Sequence, residues 1–175
     1  MVLGLTLSTF TALHVLISLV GIASGFFVVF GLLTSRRLDG ATAIFLIATG
    51  LTSVTGYFFP FKKVTPGDIV GAISLVVLAL AIYARYSRHM EGRWRSAYVI
   101  TGMMALYLNV FVLVVQLFEK VPVLHALAPT GSEPPFAIAQ LIVLAIFIGL
   151  AAAAVRRFRV EPTSAAPVWT RTKAS

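Results

Sequence analysis

The sequence predicts an all-α polytopic membrane protein, a compact bundle of five transmembrane helices with its N-terminus outside and its C-terminus in the cytoplasm. Hydrophobic residues make up 59% of the 175-residue chain and charged residues only 11%. A water-soluble domain has about a quarter of its residues charged, so this class of protein is excluded. The apolar residues are concentrated in five stretches, each close to the roughly 20 residues that a helix needs to cross a bilayer.

The limits of the five stretches are set by prolines and by basic residues. Pro60 and the pair Lys62 and Lys63, for example, close the second stretch. The predicted spans are residues 10–33, 41–59, 69–86, 97–118 and 136–155. They form a single transmembrane domain, residues 1–160. The segment 161–175 is rich in Pro, Ala, Ser and Thr, and it is predicted to be a flexible cytoplasmic tail.

The distribution of basic residues predicts the orientation, because short cytoplasmic loops are enriched in Lys and Arg. With the N-terminus outside, eleven of the fourteen basic residues lie on the cytoplasmic side, whereas the opposite orientation places three there. The first stretch has no basic residue before it and is followed by Arg36 and Arg37. It is therefore predicted to be a retained anchor rather than a cleaved signal peptide. The net charge of +8 lies on the inner face, where anionic lipid attracts it, and it requires no nucleic acid as a partner.

Small and polar residues are expected to carry the contacts between helices. Gly21 and Gly25 lie one turn apart in the first span, which is the spacing that lets two membrane helices approach closely. One face of the fourth span carries Tyr98, Gly102, Ala105, Asn109, Val112 and Gln116. An amide that faced lipid would leave its polar atoms unsatisfied, so this face is predicted to point into the bundle.

Candidate binding residues are found near the outer ends of the spans and in the loop between spans four and five. His14 lies inside the first span, and an ionisable residue at such a position is the first functional candidate in a membrane protein. We expect a polar cavity on the outer side, covered by the 119–135 loop. The residues predicted to bind a ligand there are His14, Asn109, Gln116, Glu119, His125, Glu133 and Gln140.

The pattern leaves three kinds of function open. A non-enzymatic accessory subunit, or a bundle that binds a small ligand or lipid, is favoured because no spacing typical of catalysis or of nucleotide binding is present. The first alternative is a quinone-, haem- or metal-linked membrane oxidoreductase that uses His14. His125, Glu119 and Glu133 add metal-ligand types, but without the spacing of a metal motif. The second alternative is a small transporter or channel.

The absence of cysteine excludes disulfides, thiol catalysis and cysteine-ligated metals, and the sequence identifies no cofactor. The partner expected under every alternative is the lipid bilayer. If the protein belongs to an assembly, its further partners would be other membrane-protein subunits or additional copies of this chain.

Several segments resemble those of a family of small bacterial integral-membrane proteins, and the resemblance extends over about residues 10–158. It implies a multi-pass location in the bacterial inner (cytoplasmic) membrane and no particular activity. The chain is also similar in size to the DoxX-like membrane proteins, some of them linked to quinone-coupled oxidation, but those have four spans and share no motif with it. The segments that carry the family resemblance are Thr52–Gly56, Phe59–Pro60, Ile73–Leu78, Leu106–Gln116, Lys120–Pro122, Leu127–Thr130 and Ser132–Phe136.

Overall fold

The chain is a bundle of α-helices over residues 2–60 and 66–159, which are the residues that the computed structural model describes. The helices are α1 (Leu7–Leu33), α2 (Asp39–Gly56), α3 (Pro66–Ile82), α4 (Arg93–Lys120), α5 (Pro122–Leu127) and α6 (Pro134–Arg157). A π-helical turn, Tyr83–Ser87, continues α3. The predicted tail, 161–175, lies outside the described residues.

Each of the five predicted stretches coincides with a helix, although α2 ends at Gly56, before the predicted end of its stretch at residue 59. Four of the described helices are long and apolar enough to cross a membrane, namely α1, α3 together with its π-helical turn, α4 and α6. α2 is not among the four, because Asp39 and five hydroxyl side chains lower the mean hydropathy of its 18 residues. At 1.5 Å per residue it is about 27 Å long. The predicted number of five spans therefore depends on α2.

α1 and α2 form an antiparallel hairpin whose contacts run along the whole of α2. His14 of α1 meets Thr55 near the C-terminal end of α2, and Gly25 meets Phe45 nearer its N-terminal end. Contacts thus advance along α1 as they go back along α2. The short link between the two helices, residues 34–38, is typical of such a hairpin.

Two of the three glycines of α1, Gly21 and Gly25, allow this close contact. A Cβ atom on Gly21 would lie 3.4 Å from the Ala48 Cβ atom. A Cβ atom on Gly25 would lie 2.5 Å from the Leu106 Cδ1 atom and 3.0 Å from the Phe45 ring. Gly25 is therefore the point at which α1, α2 and α4 meet.

α4 is the central helix of the bundle. Around the bundle, contacts join α1 to α2, α2 to α3, α3 to α4, α4 to α6 and α6 to α1. In addition, α4 packs against α1 through the middle of the bundle. The predicted inward face of α4 is buried at Tyr98, Gly102 and Ala105, but Asn109 and Gln116 are only half-buried. The bundle is therefore packed tightly where α4 begins and more openly where α4 ends.

The two ends of the bundle differ in chemistry, and each has a name below. The basic end comprises the residues around the α1–α2 link, the π-helical turn, the start of α4 and the end of α6. Among the described residues it contains nine arginines: Arg36, Arg37, Arg85, Arg88, Arg93, Arg95, Arg156, Arg157 and Arg159. The loop end comprises the start of α1, the end of α2, the start of α3, the end of α4, α5 and the start of α6.

Arg95 and Ser35 fix the end of α6 at the basic end. The guanidinium of Arg95, in the first turn of α4, donates to the carbonyl oxygens of Val155 (3.2 Å) and Phe158. The Ser35 hydroxyl accepts from the backbone N–H of Arg159 at 2.8 Å. Carbonyls at the end of a helix have no partner within that helix, so the Arg95 bonds satisfy two of them, and together with the Ser35 bond they anchor the end of α6.

We expect Gly25→Val to lower the free energy of unfolding by about 1–3 kcal/mol, because the added atoms must displace Leu106 and Phe45 in a filled core. Thermal unfolding in detergent measures the change. Gly149→Val in α6 is the matched control, since no described atom lies within 4 Å of a Cβ atom built there. Equal effects of the two substitutions would contradict the close contact.

Candidate binding sites at the two ends of the bundle

His14 is held at the loop end by a hydrogen bond between α1 and α2. Its Nδ1 atom lies 2.8 Å from the Thr55 Oγ1 atom. The Thr55 hydroxyl lies 2.7 Å from the carbonyl oxygen of Leu51, one turn earlier in α2, and donates its proton there. A hydroxyl has only one proton, so Thr55 must accept from the N–H at Nδ1 of His14. The neutral ring therefore has its proton at Nδ1, and Nε2 carries a lone pair.

The Nε2 atom of His14 makes no hydrogen bond within the described part of the chain, and the imidazole is half-buried. The Phe59 ring stands perpendicular to the imidazole, with 5.2 Å between the ring centroids. Phe10 packs edge-on against Phe59 at 5.1 Å and is itself buried. The position thus combines one acceptor atom with an aromatic wall.

Two further hydroxyls line the hairpin one turn deeper. The Ser18 hydroxyl lies 2.8 Å from the carbonyl oxygen of His14 and 3.3 Å from the Thr52 Oγ1 atom. Both side chains are half-buried. Together with Thr55 they form a short polar strip that leads from His14 toward the middle of the bundle.

Asn109 and Gln140 each join two helices. The Asn109 amide donates to the fully buried Thr49 hydroxyl at 2.9 Å, which links α4 to α2. The Gln140 amide donates to the carbonyl oxygen of Phe111 at 3.2 Å, which links α6 to α4. The Oε1 atom of Gln140 is buried and has no hydrogen-bond partner among the described residues. An amide between membrane helices typically contributes about 0.6–2 kcal/mol to their association.

The remaining predicted residues lie in the loop and bond locally. Gln116 donates to Glu119 at 3.1 Å, one turn further along α4. Glu133 accepts from the N–H and the hydroxyl of Thr130 and from the N–H of Ser132, each at 3.0 Å. His125 is exposed on α5. T-shaped packing of Phe118 on Phe136, with centroids 5.4 Å apart, joins the end of α4 to the start of α6 on the two sides of the loop.

Of the seven predicted ligand-binding residues, only Gln116 and Glu119 bond to each other. His14, Asn109 and Gln140 bind partners in three different helix pairs, and Glu133 binds within its own loop. Within residues 2–60 and 66–159, no three His, Asp or Glu side chains are grouped so that they could hold a metal ion. The predicted lidded cavity stays a prediction. His14 is half-buried, and its Nε2 atom forms no hydrogen bond within the described residues.

A second polar group, which sequence analysis did not single out, lies at the basic end. The guanidinium of Arg85 forms an ion pair with Asp39 and donates to the Tyr98 hydroxyl at 3.1 Å. Its Cζ atom also lies 5.2 Å from the centre of the Tyr98 ring, a cation–π distance. The Arg85 side chain is only 4% exposed, whereas Asp39 is 70% exposed. The position of Arg85 within the predicted third span, 69–86, is the only sequence signal for this burial.

Arg85 also forms part of the wall of a small cavity that opens to solvent and encloses only about 10 Å³, room for about one water. Arg36 and Arg37 stand at its mouth, and Tyr98 and Thr42 are buried in its wall. The apolar part of the wall consists of Val28, Leu32, Leu38 and Phe158. Three guanidinium groups thus surround one recess at the basic end.

Comparisons with known protein families, curated proteins and solved structures find no match to this chain. The resemblance to the family of small bacterial membrane proteins therefore stays a prediction. The sites above rest on geometry alone.

The loop hydrogen bonds predict a pH dependence. Desolvation opposes the ionised form of Glu133, but the bonds from Thr130 and Ser132 outweigh it and lower the pKa of this carboxyl below its ordinary value of 4.5. The bonds are therefore at full strength above pH 4.5 and are lost as the pH falls through the lowered pKa. Amide chemical shifts of Thr130 and Ser132 should follow this titration.

Glu133→Gln should give at neutral pH the amide shifts that the unmodified protein shows only in acid. Glu119→Gln is the control, because Glu119 bonds to Gln116 and not to the loop. A titration midpoint above 4.5, or amide shifts that do not respond to Glu133→Gln, would show that the carboxylate does not organise this loop.

Proposed function

We propose that this protein is a five-span protein of the bacterial inner membrane that binds an amphiphilic small molecule at its loop end and has no catalytic role of its own. It would serve as a binding protein or as an accessory subunit. The observation that carries the proposal is His14, with Nδ1 committed to Thr55 and Nε2 available beside an aromatic wall.

The hairpin of α1 and α2 supports the fifth span. α1 is one of the four helices apolar enough to cross a membrane, and α2 lies against it from Phe45 to Thr55. A helix of about 27 Å that runs alongside a spanning helix occupies the same roughly 30 Å slab of hydrocarbon. The hydroxyls of α2 do not prevent this, because Thr55 and Thr49 bond within the bundle.

The orientation follows from the charge of the two ends. Nine described arginines lie at the basic end, against the acids Asp39 and Glu91. The described part of the loop end has Lys120 with Asp68, Glu119 and Glu133. Because basic residues favour the cytoplasmic side, the loop end and His14 would face the periplasm.

The topology can be tested without background substitutions, because the chain contains no cysteine. We expect a membrane-impermeant thiol reagent applied to intact cells to label Ser132→Cys in the loop and not Ser87→Cys at the basic end. Permeabilised cells should give labelling at both positions. Labelling of Ser87→Cys in intact cells would reverse the orientation, and labelling of both positions from one side would reduce the number of spans.

The chemistry of the His14 position points to a neutral headgroup that carries a hydroxyl. The Nε2 lone pair accepts a hydrogen bond, and the aromatic rings of Phe10 and Phe59 offer an apolar surface beside it. Leu13 and Leu16, exposed on α1, continue this surface along the lipid-facing side. An amphiphile could therefore place its headgroup at His14 and its chain in the bilayer.

Packing in the middle of the bundle favours binding over transport. Phe45, Leu106, Val99 and Met103 are all buried there, with Phe45 and Leu106 in contact with the position of Gly25. The polar strip from His14 ends above this apolar layer. A ligand that entered at the loop end would thus be held there in this conformation.

Substitutions of His14 can distinguish the roles of its two nitrogen atoms. An Asn side chain can take the place of Nδ1 and keep the bond to Thr55, but it reaches no further, whereas a Gln side chain can reach the position of Nε2. We expect His14→Asn to lower the amount of hydroxyl-bearing lipid or quinol that copurifies by about tenfold, as expected for one buried hydrogen bond of roughly 1.4 kcal/mol. His14→Gln should retain more of it.

His89→Asn at the basic end is the matched control, and mass spectrometry of solvent extracts is the measurement. Equal retention by the unmodified protein and by His14→Asn would contradict the proposed site. Copurification of a quinone, together with quinone-dependent turnover that His14→Asn abolishes, would instead favour the oxidoreductase alternative.

A further inference from the structure

We propose a second site, at the basic end, where Arg36, Arg37 and Arg85 bind the phosphate of an anionic phospholipid. This site is separate from the proposed ligand position at His14, because the two lie at opposite ends of α1. The inference does not depend on the function proposed for the loop end.

The first argument is charge. Arg36, Arg37 and Arg85 all line the cavity. Asp39 is their one acidic neighbour among the described residues, paired with Arg85 and 3.8 Å from Arg37. The recess therefore has two positive charges in excess. Guanidinium groups present planar pairs of donors that fit two oxygens of a phosphate, so they recognise this group better than a point charge does.

The second argument is preorganisation. Arg85 is held by the ion pair with Asp39, by the Tyr98 hydroxyl and by the face of the Tyr98 ring. Its guanidinium is nearly fully buried, so little conformational entropy remains to be lost when an anion binds. Arg36 and Arg37 are exposed at the mouth and can close on the phosphate from the outside.

The third argument is size and surroundings, and it favours a lipid over a free solute. The enclosed volume is only about 10 Å³, far below the roughly 300–1,000 Å³ of pockets that enclose a whole small molecule. No more than one phosphate oxygen would therefore enter it, and the rest of the ligand would stay at the mouth beside Arg36 and Arg37. Val28 and Leu32 form an apolar wall, and Phe27 and Phe30 lie exposed on the same stretch of α1. A phosphate at the mouth would thus leave acyl chains to lie along α1 within the bilayer.

The experiment compares two double variants that remove the same charge at the same end. Arg36→Gln with Arg37→Gln alters the mouth of the cavity, whereas Arg156→Gln with Arg157→Gln alters exposed residues in the last turn of α6, outside it. Native mass spectrometry of detergent-purified protein titrated with phosphatidylglycerol reports the affinity for the first bound lipid. Phosphatidylcholine provides the zwitterionic comparison.

We expect the cavity variant to bind phosphatidylglycerol about 25-fold more weakly, because each direct hydrogen bond from a guanidinium to the bound phosphate contributes roughly a fivefold factor. The α6 variant should lose less than about threefold, and phosphatidylcholine should bind weakly to all three proteins. Equal losses in both variants would overturn the proposal in favour of diffuse surface charge. Displacement of the lipid by millimolar inorganic phosphate, with the same sensitivity to Arg36 and Arg37, would overturn it in favour of a free-phosphate site.

Discussion

The close contact of α1 with α2 and α4 at Gly25 is the constraint on which the rest of the bundle depends. Lipid tails are as apolar as the helices, so the hydrophobic effect does not hold membrane helices together, and close packing with hydrogen bonds must do so. Because Gly25 has no side chain, Phe45 of α2 and Leu106 of α4 can both pack against α1 at this position. The same approach brings His14 within hydrogen-bond distance of Thr55. Both contacts belong to the hairpin of α1 and α2.

A cluster of polar side chains lies on either side of this contact, one toward the loop end and one at the basic end. Near the loop end the Thr55 hydroxyl donates to its own helix and accepts from the neutral His14 ring. At the basic end the group is charged, and Arg85 is buried by its partners Asp39 and Tyr98. A buried guanidinium needs such partners, since removal of one leaves a charge that the protein interior does not solvate. The apolar layer around Phe45 and Leu106 separates the two groups, so each proposed site can be tested without disturbing the other.

Much of the secondary structure could be predicted, and little of the candidate site could. Each apolar stretch proved helical because the length of such a stretch is a local property, and the close packing at Gly21 and Gly25 was visible as a spacing. The sequence did not show which polar residues of different helices are in contact. Thr49 as the partner of Asn109 depends on the position of α2 beside α4, and the burial of Arg85 depends on Asp39, 46 residues away in sequence. Neither pairing can be predicted from the periodicity of residues within one helix.

The sequence by itself determined the composition of a membrane protein, the positions of its helices, the inward face of α4 and the concentration of arginine at one end. Each is a property of one segment or of the sum of residues. Only the tertiary structure decided that Nδ1 of His14 is occupied while Nε2 is available, and that Arg36, Arg37 and Arg85 surround one recess. These arrangements join residues from different helices. They depend on the distances and rotations at which helices pack, which are set by contacts between side chains far apart in the chain.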